Sequence, residues 1–471
     1  METRPLHYFA TACGGELRSG SPATPVRRVQ TDSRLAAPGD LFVALKGERF
    51  DAHDFLGEVA AKGVAGVVVA RAQLAKLPAG LPAIVVEDPR TAYGAIAGFY
   101  RGEFELPVIC VGGSNGKTTT KELLGAVLGR AFPVLKSEAS FNNDIGVPAT
   151  LLQLDRSHQA AVLEAGTNHP GELAPLIRLI APRIGIVTSI GREHLEHFVD
   201  LAGVVQEEGW LPQLLPAAGQ GGCLLVPGDS PFVGDLIART AAQVIRVGFG
   251  PANDWRAELR SMDWTGTTFS VNAPNPRWSG EYHVPLPGRH SVPNALYALA
   301  VACQLGVEPT AARDGLAEFS PAKQRLNLRE AAGVRLIDDT YNANADSVAA
   351  ALRTLSDLPC SGRRVAVLGD MAELGTATET AHREVGRLSA ELGLDLVFAI
   401  GRNAQLTAAA AGDRARAFAS FELAVEALFH CLEPGDCVLV KASRSSRLER
   451  VVEALVRQLT LRDTRPEPVP A

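Results

Sequence analysis

The stretch Val108-Ile109-Cys110-Val111-Gly112-Gly113-Ser114-Asn115-Gly116-Lys117-Thr118-Thr119 joins an apolar, strand-like run to the helical pattern KELLGAVLGRA through glycines. A chain that turns from strand to helix in this way aims backbone N–H groups and the positive end of a helix at one point, where a polyphosphate can sit. Lys117 would neutralise β and γ oxygens, and the Thr118 hydroxyl would ligate magnesium. Gly113, Ser114, Asn115, Gly116 and Thr119 complete the expected cradle. The strict pattern G-x-x-x-x-G-K-S/T is not met, because its first glycine falls on Val111. A glycine-rich turn that binds nothing is the competing reading.

Two further groups follow. Glu164 ends the apolar run AAVLEAG and His194 follows IGIVTSI. In a parallel sheet both would emerge at the carboxyl edge, beside the phosphate loop. A hard oxygen ligand and an imidazole there would hold magnesium against the γ-phosphate. Taken alone, each reads as a solvated or helix-capping residue; their joint placement is what points to a site.

The elements that would position these groups fall into three zones of an α/β protein. Residues 1–103 contain GDLFVALKG, GVAGVVVA and PAIVVED, short Val-rich runs between glycines and prolines, which predict a small α/β unit. Residues 104–320 alternate apolar runs (VICVGG, AAVLEAG, IGIVTSI, GCLLVP) with helical patterns, which predicts a parallel sheet with helices outside. Between Asp254 and Pro287 the pattern turns alternating and turn-rich, suiting an antiparallel appendage before the helix SVPNALYALAVACQLG. Residues 321–463 repeat strand and helix with VRLIDD, RRVAVLGD, DLVFAIG and DCVLVKAS, a second, Rossmann-like doubly wound unit. Residues 464–471 carry three prolines in TRPEPVPA and predict a disordered tail.

Composition narrows the partners. The 471 residues include 46 Lys plus Arg against 52 Asp plus Glu, a net charge of −6, which argues against nucleic acid or an anionic membrane as partner and for small molecules. No apolar run is long enough to cross a bilayer, so no membrane insertion is expected, and METRPLHYFATACGGELRSG lacks the core of an export signal, so a cytoplasmic location is expected. The seven cysteines are widely spaced without a C-x-x-C pair and read as small buried hydrophobes.

In these residues the chain resembles the Mur ligase family. The resemblance lies in TDSR and GDLFVALKGERFDAHDF in the first zone; in GSNGKTTTKE, SFNNDIGVPATLL, EAGTNHPGE, REHLEHF and PLPGRHSVPNAL in the second; and in LIDDTYNANADS, VLGDMAELG and VLVKASRSSRLERVV in the third. Each motif alone is weak, but their collinear order across three zones is specific. The resemblance implies a UDP-sugar-binding domain, a central ATP-binding ligase domain and a Rossmann-like domain that closes over the nucleotide. It also implies an ATP- and Mg2+-dependent amide ligase of peptidoglycan precursor synthesis. ATP would phosphorylate the terminal carboxylate of UDP-MurNAc-tripeptide, and the amine of D-Ala-D-Ala would attack the acyl phosphate. A carboxylate resists an amine until its oxygen becomes a good leaving group, so the order makes chemical sense. A monomer is expected.

Residue by residue, the resemblance implies phosphate binding by Lys117 and Thr118, magnesium ligation by Glu164 and His194, and nucleotide contact by Asn294. It places Asn342 and Asn344 where the third domain meets adenosine, with Tyr341 packing on its apolar face. Asp32, Ser33, Arg34, Asn142 and Asn143 match positions near the UDP-sugar. Lys441, Ser443 and Arg444, with Arg447, form a basic strand-to-helix turn suited to a peptide carboxylate, or equally a plain solvated helix start. Arg325 keeps the charge of a family Gly-Arg pair although Gln324 precedes it. Ala345, Ala442 and Ser291 stand where the family usually shows Pro, Gly and Asn. The largest departure is Glu208 in VVQEEGWL, where the family usually carries a lysine that becomes carbamylated. A carboxylate is already the ligand type magnesium demands, so Glu208 is expected beside the second ion, reaching it across a shorter side chain or through a water. The bland alternative is a solvated helix glutamate, and Glu207→Gln is expected to do little. Rival activities are a related ATP-dependent ligase, such as another Mur ligase or a folylpolyglutamate synthase, and a nucleotide-driven switch; LIDDTYNANADS and LGDMAELG favour the D-Ala-D-Ala-adding reading.

Overall fold

The computed structural model describes residues 1–463, so the expected disordered tail at 464–471 lies outside the described residues. Three main sheets carry the chain. The first has five strands in the order Glu16–Arg18, Ala83–Val86, Gly66–Ala70, Asp40–Val43, Arg28–Gln30, with its three Val-rich members where the sequence predicts them.

The second sheet has nine strands. Val108–Gly112 lies in it between Ala160–Glu164 and Ile184–Val187, parallel to both. Glu164 is level with Val111, and Val187 with Gly112, so the chain leaves all three strands at one edge. All three strands are buried throughout, as both faces of a parallel sheet covered by helices require. The segment predicted as an appendage is instead a continuation: Trp255–Asp263 pairs parallel to Gln243–Gly248, and Gly266–Asn272 and Gly280–Val284 then extend the same sheet antiparallel. Its alternating burial reflects a sheet margin with one face in solvent. Over the sheet, the helix Ser291–Gln304 is buried from Ala295 to Ala302 and sits against the phosphate-loop helix Lys117–Leu128.

The third sheet runs Asn327–Ala331, Val334–Asp339, Cys437–Lys441, Arg364–Leu368, Leu396–Ile400, Ala415–Phe418. The four central strands are those the sequence predicts; the two edges, more exposed and less apolar, escape that reading. Apolar residues of the second and third sheets and their helices form one continuous cluster, and Trp264 Nε1 donates to Pro359 O at 2.7 Å across the junction. Cys110, Cys223 and Cys437 are buried as expected, whereas the other four cysteines are partly exposed, and all seven are free thiols. Among the described residues no helix is long and apolar enough to cross a membrane.

Candidate active site

The turn after Val108–Gly112 depends on two glycines with left-handed backbone, Gly113 at φ +104° and Gly116 at φ +89°. A Cβ at Gly113 would meet Thr188 Oγ1 at 2.5 Å, and one at Gly116 would meet Asn294 Oδ1 at 2.7 Å, so a side chain at either would displace the wall of the loop. The N–H groups of Gly113, Ser114 and Asn115 are consumed within the protein, by Glu208 Oε2 at 2.7 Å, Ser189 O at 2.9 Å and Ser189 Oγ at 2.9 Å. The backbone N–H groups left for an anion are then those of Lys117, Thr118 and Thr119 at the start of Lys117–Leu128, where a helix has no intrahelical acceptor for them. Lys117 folds back over the loop and donates to Gly113 O at 2.5 Å, with Glu193 Oε2 3.4 Å from its ammonium. Burial pulls that ammonium down, but Glu193, Glu208 and Glu164 more than offset it and hold Lys117 above its ordinary value. It stays a cation.

A cleft of about 570 Å³ opens on this loop. Ser114 to Thr119, Glu164, Glu193, His194 and Asn294 line one wall; Arg325, Tyr341, Asn342, Asn344, Glu373 and Lys441, from the third sheet, line the other. The joint placement of Glu164 and His194 at the carboxyl edge is thus what the strand order produces. Glu164 accepts from Asn142 Nδ2 at 2.8 Å through Oε1, while Oε2 has no hydrogen-bond partner. His194, itself left-handed at φ +46°, has Nδ1 2.6 Å from Glu373 Oε2 but off the hydrogen-bonding direction. That imidazole holds the Glu373 carboxyl below its usual range.

Around the phosphate loop, the buried oxygens without a hydrogen-bond partner are Thr118 Oγ1, Glu164 Oε2, Glu193 Oε1 and Glu208 Oε1. Hard oxygens with one imidazole are the donor set a magnesium ion takes. Among the described residues no three His, Cys, Asp or Glu side chains converge on one point, so such an ion would keep waters and phosphate oxygens in its shell, as magnesium does. The residues fit the ion on those terms.

Glu208 is not the solvated helix glutamate of the alternative reading. It is neither solvated nor a wall of the cleft: it is 1% exposed beneath the loop, with Oε2 on Gly113 N–H. Its Oε2 is committed to the loop backbone, which makes it a support of the cradle, while its Oε1 has no hydrogen-bond partner. Burial, then the charge of Glu193, pushes its carboxyl up to about 8. Glu207 is also buried and is structural. Its carboxylate accepts from Gly171 N and Leu173 N, each at 2.8 Å, and so caps the helix Leu173–Ile180. Its role is thus to hold the chain at 171–173, and two adjacent acids on a short helix read as surface until the chain packed against them is known.

The remaining assignments divide. Asn294 backs the loop and accepts from Thr120 Oγ1 at 3.2 Å. Asn344 caps Ala345–Asp357 and reaches across the cleft, its Nδ2 donating to Asn115 Oδ1 at 3.0 Å. One face of Tyr341 is covered by Arg325, whose guanidinium carbon is 4.1 Å from the ring centre, and Arg444 lies 6.0 Å away. Lys441 is buried, on Asp339 at 2.5 Å and Asn342 O at 3.0 Å, which makes it a strut of the cleft wall and not a free basic group. Ser443 is buried away from the cleft, its N–H on Asp370 O. Asn142 and Asn143 line the cleft, whereas Asp32, Ser33 and Arg34 do not: Asp32 caps a short turn and holds Arg34 at 2.6 Å, which draws its carboxyl down to about 2.

Sequence reasoning missed Glu193, Arg192 and Glu373, although REHLEHF and LGDMAELG contain them. Arg192 is held by Asp346 through its backbone N at 2.7 Å and its guanidinium at 2.9 Å, and by Glu384 at 2.6 Å. Nothing in spacing reveals such partners, more than 150 residues away.

Comparison with known proteins gives the same chain order. Residues 25–101 match the family model described as "Mur ligase family, catalytic domain", residues 111–302 "Mur ligase middle domain" and residues 324–444 "Mur ligase, glutamate ligase domain". The UDP-N-acetylmuramoyl-tripeptide--D-alanyl-D-alanine ligase of Escherichia coli (strain K12) is 36% identical, the match covering 96% of this chain and 98% of that one. The Bacillus subtilis (strain 168) protein of the same name is 33% identical, covering 92% and 94%. Among solved structures, MurF from Acinetobacter baumannii superposes with a TM-score of 0.89 at 33% identity, covering 97% and 99%. MurF ligase from Thermotoga maritima in complex with ADP gives 0.83 at 26% identity, covering 93% and 99%.

Proposed function

The chain belongs to the Mur ligase family, and we propose that it joins D-alanyl-D-alanine to a UDP-N-acetylmuramoyl-tripeptide, using ATP and passing through an acyl phosphate. The observation that carries this reading is one cleft whose walls come from two sheets: a helix-start phosphate cradle with Lys117, Glu164 and His194 on one side, Arg325 and Tyr341 to Asn344 on the other. The near full-length relatives named for this reaction support the choice of substrates.

Lys117 and the first-turn N–H groups bind the β- and γ-phosphates and stabilise charge that develops during transfer. Thr118 Oγ1, Glu164 Oε2 and the Nε2 that His194 keeps free of Glu373 would hold magnesium, with Glu193 at its margin. Bound there, the ion offsets charge on the phosphoryl group and the carboxylate. Asn344 and Arg192 bring the third sheet over the cleft and exclude water, which would otherwise hydrolyse the acyl phosphate. Residues 1–103, with Asp32 to Arg34, take the UDP end, residues 104–320 the nucleotide, and residues 321–463 close over that nucleotide. The protein acts as a cytoplasmic monomer.

The test is incubation with ATP, magnesium, UDP-tripeptide and a panel of acceptors. Amide product with D-Ala-D-Ala alone supports this reading, product with a single amino acid supports a relative, and phosphate release without product supports a nucleotide switch. Tripeptides ending in diaminopimelate or lysine, run side by side, fix the third residue.

A further inference from the structure

Lys121 lies one helical turn beyond Lys117 on the helix Lys117–Leu128, yet it has no exposed surface at all. A buried ammonium with no role is poorly explained by stability, because an apolar side chain of the same length would fill the space without the loss of hydration. Its surroundings are specific. Nζ donates to Ala139 O, lies 3.0 Å from Glu122 Oε1, and lies 3.9 Å from Glu164 Oε2, the buried carboxylate oxygen without a hydrogen-bond partner. Glu122 is in turn paired with Lys136.

The acceptor Ala139 is a non-glycine residue at φ +46°, a backbone state that persists only where the surroundings impose it. Three residues on, Asn142 Nδ2 donates to the other Glu164 oxygen at 2.8 Å. Glu164 is therefore gripped from two directions, by Lys121 itself and by the 139–143 loop that Lys121 holds. Ser137 Oγ, just before the loop, accepts the Glu164 N–H at 3.2 Å and completes the frame.

We propose that Lys121 is a positioning residue: its ammonium clamps the 139–143 loop and Glu164 to the phosphate-loop helix, so that the metal-facing carboxylate and the substrate-side loop are set as one unit. This rests on the assignment of Glu164 to the metal made above. Charge supplies the orienting pull on Glu164 Oε2, and the hydrogen bond to Ala139 O fixes the loop that carries Asn142.

The experiment compares the full-length wild type with Lys121→Met and Lys121→Arg. Manganese binding in the presence of ADP is read by electron paramagnetic resonance, metal-free ADP binding by calorimetry in chelator, and KM for the UDP-tripeptide by turnover. Lys121→Met should weaken manganese binding about 10-fold and raise KM for the UDP-tripeptide, with metal-free ADP affinity unchanged; Lys121→Arg, which keeps charge and donors, should recover part of the manganese affinity. Wild-type manganese affinity in a folded Lys121→Met overturns the proposal. Should Lys121→Met not fold, Lys121→Gln is read in its place against the same outcomes, and failure of both to melt cooperatively makes Lys121 a folding residue and also overturns it. A wild type that binds no manganese with ADP would instead overturn the Glu164 assignment.

Discussion

Glu208 Oε2 accepts the Gly113 N–H at 2.7 Å from beneath the phosphate loop, and its other oxygen has no partner. The first N–H of the loop is thus used to hold the loop in shape, and nucleotide binding is left to the helix that follows. Burial and the charge of Glu193 raise that carboxyl above its ordinary value, so it holds a proton more readily than an exposed glutamate does.

Stability should therefore depend on pH through Glu208. Its folded value of about 8 lies above the ordinary 4.5, so the folded chain keeps a proton that the unfolded chain loses in that window. The contribution is fully present below about 4.5 and is lost as pH rises towards 8. Glu208→Gln does not titrate and can still accept the Gly113 N–H, so its melting temperature relative to wild type should climb from pH 5 to 8 and then level. Parallel melting curves across that range would refute the protonated support.

Lys117→Ala should lower ligation by more than ~10²-fold, because charge on the transferring phosphoryl group loses its nearest cation. Single-turnover phosphate release with UDP-tripeptide and ATP checks this directly. Near wild-type rates would remove the phosphate-loop reading.

Glu207→Gln should destabilise the protein by about 1–3 kcal/mol, since the amide has one oxygen and one of the two N–H groups, on Gly171 or Leu173, is left without an acceptor. The magnesium requirement of turnover should not move. Denaturant titration reads the first effect, and a shift in magnesium dependence would contradict the capping role.

Arg192→Ala removes an ion pair to Asp346 and another to Glu384 that tie the His194 loop to the third sheet. We expect KM for ATP to rise about 10-fold, wild-type KM to show a matching sensitivity to salt, and the particle with an ATP analogue and UDP-substrate bound to scatter as less compact than wild type. An unchanged radius of gyration in the variant would argue that other contacts hold the cleft shut.

The α/β class, the main strands of each sheet and the phosphate loop are legible in the sequence because they are written locally: glycines at a strand-to-helix turn, Val-rich runs between turn residues, an apolar helix face. The sequence also places Glu164 and His194 together, since a parallel sheet delivers strand ends to one edge whatever the loops do. What each acid faces is set by packing between distant segments. Glu207 and Glu208 are neighbours on one helix, yet one caps Leu173–Ile180 and the other supports Gly113. Lys121 and Lys441 look like surface cations in sequence and are buried in ion pairs, and Arg192 finds its partners in a sheet it does not belong to. Burial and charge pairing depend on chain segments brought together across long separations, and that information is not periodic, so no local spacing encodes it.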